Sequence, residues 1–159
     1  MSWRSRPSAW SVLLAVALGT PGRVVAQGWR ETQVGVAGFG SRPAGGGAGA
    51  GLAWRDQGRT RVGGALLLGA DESGGLVGRA EAAWHFLLDP SRRAGNGVYA
   101  GGGVSVTLSD GRARPYVLLV VGAENAPAGR RGTFIEAGVG GGIRLAVGMR
   151  WRKRNAPSR

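Results

Sequence analysis

Residues 143–152 read IRLAVGMRWR, and this stretch alternates between two kinds of side chain. Every second residue is apolar, and the residues between them are small or arginine; the first set is Ile143, Leu145, Val147, Met149 and Trp151, and the second is Arg144, Ala146, Gly148, Arg150 and Arg152. Successive side chains of a β-strand point to opposite faces. The period of two therefore predicts a strand with one apolar and one polar face.

The same alternation recurs through the preceding sequence and predicts an all-β chain. Eight strands are expected at about 29–40, 46–56, 59–70, 75–88, 97–109, 113–124, 132–140 and 143–153. Short segments rich in Gly and Asp separate several of them, at 56–59 (DQGR), 72–75 (ESGG) and 109–112 (SDGR). Such residues supply the positive φ angles of tight hairpin turns. Eight neighbouring antiparallel strands predict an up-and-down β-barrel.

Composition narrows the possible classes of protein. Glycine accounts for 32 of the 159 residues, which disfavours helix by about 1 kcal/mol per residue relative to alanine. The chain has no cysteine and one histidine, so disulfide scaffolds, cysteine-ligated metals and multi-histidine metal sites are excluded. No cofactor is expected. With 43% hydrophobic and 19% charged residues, the chain is expected to fold.

The N-terminus has the pattern of a secretory signal peptide at 1–26. Arg4 and Arg6 precede an apolar run, SVLLAVAL at 11–18, and VVA at 24–26 offers small or modest residues before a cleavage point. The run is too short to cross a membrane as a helix, which needs about 20 residues. A single domain is expected at 27–159, ending in a short basic tail at 153–159. Export argues against nucleic acid as a partner despite the net charge of +12.

Two closed architectures fit the alternation and differ in which face points outward. A soluble barrel has its apolar face inside, whereas a membrane barrel has it outside. The polar face here is mostly glycine with scattered Arg, Glu, Ser and Thr, unlike a soluble surface. Four aromatic residues near strand ends share the apolar face and are expected in an interfacial girdle: Trp54, Trp84, Phe86 and Trp151. These features favour the membrane barrel, placed in the outer membrane.

Two segments carry a resemblance to a known class of protein: VYAGGGVSVTLSDGRARPYVLLVVGAE at 98–124 and TFIEAGVGGGIRLAVGMRWR at 133–152. Their glycine-rich strands and Arg/aromatic alternation resemble small outer-membrane β-barrels of the OmpA/OmpX type. The resemblance implies an eight-stranded transmembrane barrel, membrane lipid as surroundings, and the barrel-insertion machinery as a partner. Such barrels commonly end on an aromatic residue that this machinery reads, whereas here a basic tail follows Trp151.

The polar faces supply the candidate functional residues. We expect a buried charge network in the lumen, formed by Arg55, Arg61, Arg79, Glu81, His85, Glu124, Glu136, Arg144 and Arg150, with Glu31, Gln33 and Arg152 on the same faces. Arginine suits such a network because its planar guanidinium pairs carboxylates bidentately. The network is expected to fill the lumen, since eight strands leave room only for side chains. A narrow anion-favouring channel is the alternative interpretation of the same residues.

The expected function is structural or adhesive, through contacts with the envelope, without catalysis. One alternative is a soluble exported, calycin-like barrel, periplasmic or secreted, that binds a small apolar ligand. A second is a lipid-modifying enzyme with His85 as base, Glu81 orienting it, and Ser105 or Ser109 as nucleophile. No G-x-S-x-G motif supports that enzyme. Basic clusters at 92–93, 130–131 and 150–154 are expected to be solvated or to meet lipopolysaccharide phosphates at the rim.

Overall fold

A computed structural model of the chain describes residues 28–40, 44–56 and 58–154. Its eight strands are β1 (Trp29–Gly40), β2 (Gly45–Arg55), β3 (Thr60–Asp71), β4 (Leu76–Leu87), β5 (Asn96–Ser109), β6 (Arg112–Asn125), β7 (Arg131–Val139) and β8 (Ile143–Arg154). Each boundary lies within one residue of the expected one. In these described ranges no helix is long and apolar enough to span a membrane.

The strands form a closed antiparallel barrel in which each strand pairs with its neighbours in sequence and β1 pairs with β8. The register partners of successive strands trace a path around the barrel that begins at Trp29 of β1 and returns to β1 at Phe39, ten residues further on. The path runs through Arg55, Arg61, His85, Gly101, Val120, Gly138 and Arg144. This stagger tilts the strands and, with the strand number, sets the diameter of the barrel. The predicted fold class, an all-β eight-stranded up-and-down barrel, is confirmed.

The expected tight turn between β5 and β6 is present. Asp110 and Gly111 both have positive φ, 51° and 70°, as the two central residues of a two-residue hairpin turn that follows the twist of the strands. The turn after β3 is held by Asp71, whose Oδ1 accepts hydrogen bonds from the backbone N–H of Ser73 (2.9 Å) and Gly75 (2.8 Å). Short polar side chains that bond the backbone two residues on are typical of such turns.

The apolar face of the alternation lies on the outside of the barrel. Leu66 in the middle of β3 is 55% exposed and Val147 in the middle of β8 is 51% exposed. The arginines and glutamates of the alternate positions are buried inside. This orientation contradicts the calycin-like alternative, which requires an apolar interior. The sequence pattern fitted both orientations because alternation separates two faces without saying which one is enclosed.

The interior holds a charged region and a small apolar cluster. Ala37, Leu67 and Ala146 form the buried apolar cluster, and Phe39 and Ala65 pack against it. Small residues line much of the remaining inner surface, for example the glycines of β2. Space left by these small residues is taken by the long charged side chains described below.

The two ends of the barrel carry different connections between strands. The end at which β1 begins and β8 ends, here called the terminal end, also carries the β2–β3, β4–β5 and β6–β7 connections.

The predicted signal peptide at 1–26 lies outside the described residues, as do residues 155–159 of the predicted tail. β8 runs to Arg154, one residue beyond the expected end of the strand at 153, because Lys153 and Arg154 pair with Arg30 and Trp29 of β1.

Candidate functional site

Long charged side chains lie in the lumen of the barrel. Of the residues that the structure describes, six arginines and four glutamates are buried: Arg55, Arg61, Arg79, Arg144, Arg150 and Arg152, with Glu31, Glu81, Glu124 and Glu136. Every one of them was expected on the polar face of its strand. Inward positions recur every second residue, so neighbouring strands place these groups at successive levels along the lumen.

Glu124 of β6 is the centre of the network near the terminal end. Its Oε2 accepts hydrogen bonds from Arg61 Nη1 (2.9 Å), Arg150 Nη1 (2.7 Å) and Arg152 Nη2 (2.9 Å). Arg61 belongs to β3, whereas Arg150 and Arg152 belong to β8. One carboxylate oxygen therefore connects three strands across the lumen through hydrogen bonds in which both partners are charged, the stronger class of such bonds.

A second carboxylate, Glu31 of β1, lies beside this centre. Arg152 Nε lies 3.2 Å from Glu31 Oε1, and Arg61 Nη1 lies 3.5 Å from Glu31 Oε2. Arg55 is further from it, at 3.9 Å, and donates instead to the carbonyl oxygens of Pro127 (2.7 Å) and Pro90. Arg55 thus ties β2 to the two longer connections at the terminal end.

Arg144 of β8 lies between two carboxylates in the middle of the lumen. Its Nε lies 2.9 Å from Glu81 Oε1, and its Nη2 lies 2.9 Å from Glu81 Oε2. Its Nη1 lies 2.9 Å from Glu136 Oε2. The pairing with Glu81 is bidentate, which fixes the orientation of both planar groups. β4, β7 and β8 are joined through this one guanidinium.

Arg79 extends the network towards the opposite end. Its Nε donates to Glu81 Oε1 (2.7 Å), its Nη2 to Ser105 Oγ (3.0 Å), and its Nη1 to the carbonyl oxygen of Gly140 (2.9 Å). Gly140 belongs to the turn between β7 and β8. Arg79 therefore links the charged interior to that turn, and its guanidinium also stacks over the Phe39 ring at 4.5 Å.

Tyr99 is a member of this network that we did not include among the candidates. Its hydroxyl donates to Glu136 Oε1 (2.7 Å) and accepts from Arg150 Nη2 (3.2 Å), and the Arg61 guanidinium lies 4.5 Å from its ring centre. The signal was present, since Tyr99 shares the polar face of β5 with Gly101 and Ser105. An aromatic residue on a polar face could have been read as a partner for arginine.

His85 faces the lumen but does not form the arrangement that catalysis would require. Its ring packs edge-on against Tyr99 with centroids 5.4 Å apart, and its Nδ1 has no hydrogen-bond partner among the described residues. Glu81 is occupied by Arg79 and Arg144 rather than by His85. Ser105 pairs in register with Glu81, whereas His85 pairs with Gly101. Ser105 therefore lies four residues, or about 13 Å, along β5 from the position opposite His85. The expected orienting role of Glu81 is therefore not seen.

Some space remains beside the charged side chains. Two cavities of about 30 Å³ each lie beside the network. Gln33 and Arg144 line both, and Arg61 and His85 line the first. A cavity of this size holds about one or two molecules of water. Over the residues with described positions, no group of three His, Asp or Glu side chains could hold a metal ion.

The four predicted girdle residues lie on the outer surface near the terminal end. Trp54, Trp84 and Phe86 are exposed and Trp151 is half-buried. Trp54 pairs in register with Arg30, and Trp151 pairs with Arg131. This end carries exposed basic side chains, the terminal rim: Arg30, Arg59, Arg92, Arg93, Arg130, Arg131, Lys153 and Arg154. Aromatic and cationic groups are therefore side by side on the outside of the barrel.

The barrel is similar in fold to Neisserial surface protein A. The two structures superimpose with a TM-score of 0.57 at 11% sequence identity, over 79% of this chain and 97% of the neisserial one. Ail, the attachment invasion locus protein of Yersinia pestis, aligns with a TM-score of 0.47 at 12% identity, over 80% of this chain and 99% of Ail. No protein-family model and no curated protein matches the sequence. The similarity to the neisserial protein establishes a shared fold.

Proposed function

We propose that this chain is a small outer-membrane β-barrel with a closed lumen, and that its role is structural, through contacts with the envelope. The observation that carries the proposal is the inverted distribution of polarity, with the apolar side chains outside and the charged ones inside. In water an exposed apolar belt around a whole barrel would drive association, whereas in a bilayer it is the favourable surface. The likeness in fold to a neisserial surface protein supports the same placement.

The closed lumen is inferred from the charge network. A polar lumen conducts only if it is wide enough for water and ions, and an eight-stranded barrel is filled by its own side chains. Here arginines pair with carboxylates across the lumen, as Arg144 of β8 does with Glu81 of β4 and Arg61 of β3 does with Glu124 of β6. A channel would require these bridges to break together, so we favour a closed barrel over the anion-favouring channel.

Lipid headgroups are the proposed partners of the terminal rim. Its exposed basic side chains outnumber the acidic Asp56 and Asp89 at the same end, whereas the opposite end mixes Arg112 and Arg114 with Asp71, Glu72 and Asp110. Cationic groups near a membrane surface attract anionic headgroups, at about 1 kcal/mol per residue. Phosphates of phospholipid or lipopolysaccharide are the chemistry that this rim would recognise, beside the aromatic girdle.

Adhesion is a second candidate, and the β5–β6 hairpin favours it. β6 pairs with β7 only over Leu119–Glu124, so its first half, up to Leu118, pairs with β5 alone. The hairpin therefore extends past the β7–β8 turn at the end opposite the terminal rim. A strand with one unpaired edge is able to add a strand from another protein. Deleting the hairpin tip should then abolish attachment to a surface while leaving the barrel in the membrane.

The proposed function is tested by expressing the chain from its first residue and separating membranes from soluble protein. We expect recovery in the outer membrane, with faster gel migration when the sample is not boiled, because a closed barrel resists unfolding by detergent. In planar bilayers the purified protein should give no steady conductance. Recovery in the soluble fraction would overturn the membrane placement, and a steady open channel would overturn the closed lumen.

A further inference from the structure

Three cations of the terminal rim lie on the strands themselves, at neighbouring positions of the outer face. Arg30 of β1 is directly opposite Lys153 of β8. Arg131 of β7 is directly opposite Trp151 of β8, which precedes Lys153 by two residues and therefore shares its face. All three cations are exposed, and Arg30, Arg131 and Lys153 are called the cationic cluster below.

The register brings the three charged groups within reach of one small ligand. Residues directly opposite on neighbouring strands have Cβ atoms about 4.5–5.5 Å apart, and diagonal neighbours are about 7–8 Å apart. Arg30 and Lys153 are neighbours of the first kind, and Lys153 and Arg131 are neighbours of the second. Because the side chains of arginine and lysine are long and flexible, a ligand above Lys153 can contact all three.

The charges of the cluster repel one another and have no counter-charge on the protein. Like charges directly opposite each other destabilise a sheet. Of the exposed cations in the described part of the chain, Arg92 alone pairs with a carboxylate, that of Asp89 at 4.0 Å. The acidic residues of β1, β2, β7 and β8 are Glu31 and Glu136, and both are buried in the lumen. An anion bound from outside would relieve the repulsion.

The cluster occupies one side of the barrel. At the same end, the outward positions of β3, β4, β5 and β6 carry no charge; they are Thr60, Val62, Trp84, Phe86, Asn96, Val98, Ala123 and Asn125. A general attraction for anionic headgroups would require only charges spread around the circumference. Concentration of the strand-borne cations on three adjacent strands instead indicates a site for a single headgroup.

The surface next to the cluster suits a lipid. Trp54 of β2 is directly opposite Arg30, and tryptophan is favoured where an apolar surface meets a polar one. Towards the middle of the barrel the outer face continues with Val34 of β1 and Met149 of β8, which are in register and exposed. A lipid with its headgroup at the cluster would place an acyl chain along this apolar surface.

We propose that the cationic cluster binds the headgroup of one lipid that carries a phosphomonoester. Such a group has a charge of about −1.5 to −2 at pH 7 and three strong acceptor oxygens, which match three cationic donors. Thr32, two residues from Arg30 on the same face and exposed, adds a hydroxyl donor. A phosphodiester carries one negative charge and would leave more of the repulsion in place. The inference rests on the proposed function, because it requires the terminal rim to lie at a membrane surface.

Spin-labelled phosphatidic acid, a phosphomonoester, tests the site against spin-labelled phosphatidylglycerol, a phosphodiester, with the full barrel in phosphatidylcholine vesicles. The wild-type barrel should prefer phosphatidic acid about fivefold, since roughly one more unit of charge interacts near the surface. Arg30→Gln, Lys153→Gln should lose most of this preference, and Arg112→Gln, Arg114→Gln at the opposite end should keep it. Arg59→Gln, Arg93→Gln removes two rim charges outside the cluster, so it should weaken the binding of both lipids equally.

The outcomes separate this site from the proposed function. A wild-type barrel that favours both anionic lipids over phosphatidylcholine but does not distinguish them would overturn the site and leave the attraction of the rim intact. No preference for either lipid would overturn both. If Arg59→Gln, Arg93→Gln removed the preference as completely as Arg30→Gln, Lys153→Gln, the whole rim and not the cluster would hold the phosphate, and the proposal would be wrong.

A competition experiment on the wild-type barrel separates a lipid from a free phosphate and needs no variant. Glycerol 3-phosphate carries the same phosphomonoester as phosphatidic acid but has no acyl chains. Added at the concentration of the labelled lipid, it should leave the immobilised fraction unchanged, because the apolar surface beside the cluster contributes to binding. Displacement of the lipid under these conditions would overturn a lipid as the ligand.

Discussion

Arg150 Nη1 lies 2.7 Å from Glu124 Oε2, and this ion pair joins β8 to β6 across the strand that separates them. β7 is the shortest strand of the barrel and pairs with β6 over six residues only. The side-chain bridge therefore reinforces the wall where backbone hydrogen bonds are fewest. We propose that the charges in the lumen also stabilise the closed barrel.

Replacing Glu124 by glutamine should destabilise the barrel strongly. The substitution keeps the shape of the side chain but removes the negative charge that three guanidiniums share. Breaking a buried ion pair by removing one partner costs about 3–5 kcal/mol. We expect a loss of this size in the free energy of unfolding, measured with urea for the barrel folded in lipid vesicles.

The matched control is Asp110→Asn in the exposed β5–β6 turn. It makes the same chemical change, and asparagine tolerates the positive φ at this position. An effect within about 0.5 kcal/mol is expected, as for other surface substitutions. Equal effects of the two substitutions would contradict a stabilising role for the charge on Glu124.

Removing the central bridge should open the lumen to ions. The double variant Glu136→Ala, Arg144→Ala deletes two long side chains that meet at 2.9 Å in the middle of the barrel. Because the remaining wall there is largely small residues, we expect ion conductance in planar bilayers where the wild-type barrel has none. The double variant Asp71→Ala, Arg114→Ala at the end of the barrel is the control. If the central variant conducts no better than this control, the network is not what closes the lumen.

Gly122 is required by the position of Tyr99. A Cβ atom at residue 122 would lie 2.5 Å from Cζ and 2.6 Å from the hydroxyl oxygen of Tyr99, so Gly122→Ala must displace the ring. The displacement would break the hydrogen bond to Glu136, and overpacking of this kind costs about 1–3 kcal/mol. Gly38→Ala serves as control, since a Cβ there meets nothing within 4 Å. Urea unfolding should show a loss for Gly122→Ala and none for Gly38→Ala.

The terminal rim should select anionic lipids. The variant with Arg59, Arg93, Arg130 and Arg131 changed to glutamine removes four exposed positive charges, each worth about 1 kcal/mol near a membrane surface. With spin-labelled lipids, the wild-type barrel should immobilise phosphatidylglycerol in preference to phosphatidylcholine, and high salt should weaken the preference. The variant should lose most of it, whereas Arg112→Gln, Arg114→Gln at the opposite end should keep it. Unchanged selectivity in the four-residue variant would refute the assignment of the rim.

The strand boundaries and the two faces could be predicted from the sequence because alternation is a local property. Even β6 and β7, whose patterns are weak, lie within one residue of the expected ranges. The prediction that residues such as Leu66 point outward required a choice between a soluble barrel and a membrane barrel. This choice rested on composition rather than on the alternation itself. The local pattern therefore predicts the strands, whereas the closed structure shows which face is enclosed.

The candidate site was predictable as a set of residues but not as a set of pairs. Which carboxylate meets Arg144, for example, depends on the stagger around the barrel, which no short stretch of sequence encodes. Tyr99 was overlooked because it is neither charged nor on the apolar face. His85 and Glu81 share a strand face as expected, yet Arg144 competes for Glu81 from across the lumen. Such long-range competition cannot be inferred from the spacing of residues along the sequence.

The most direct test of the membrane placement is the accessibility of spin labels on the outer face. The chain has no cysteine, so Leu66→Cys and Val147→Cys place one label each at mid-barrel, and Glu72→Cys and Asp110→Cys place labels in turns. In reconstituted vesicles the mid-barrel labels should collide with dissolved oxygen far more than with a water-soluble nickel chelate, and the turn labels should show the reverse. Mid-barrel labels as accessible to the chelate as the turn labels would contradict a barrel that spans a membrane.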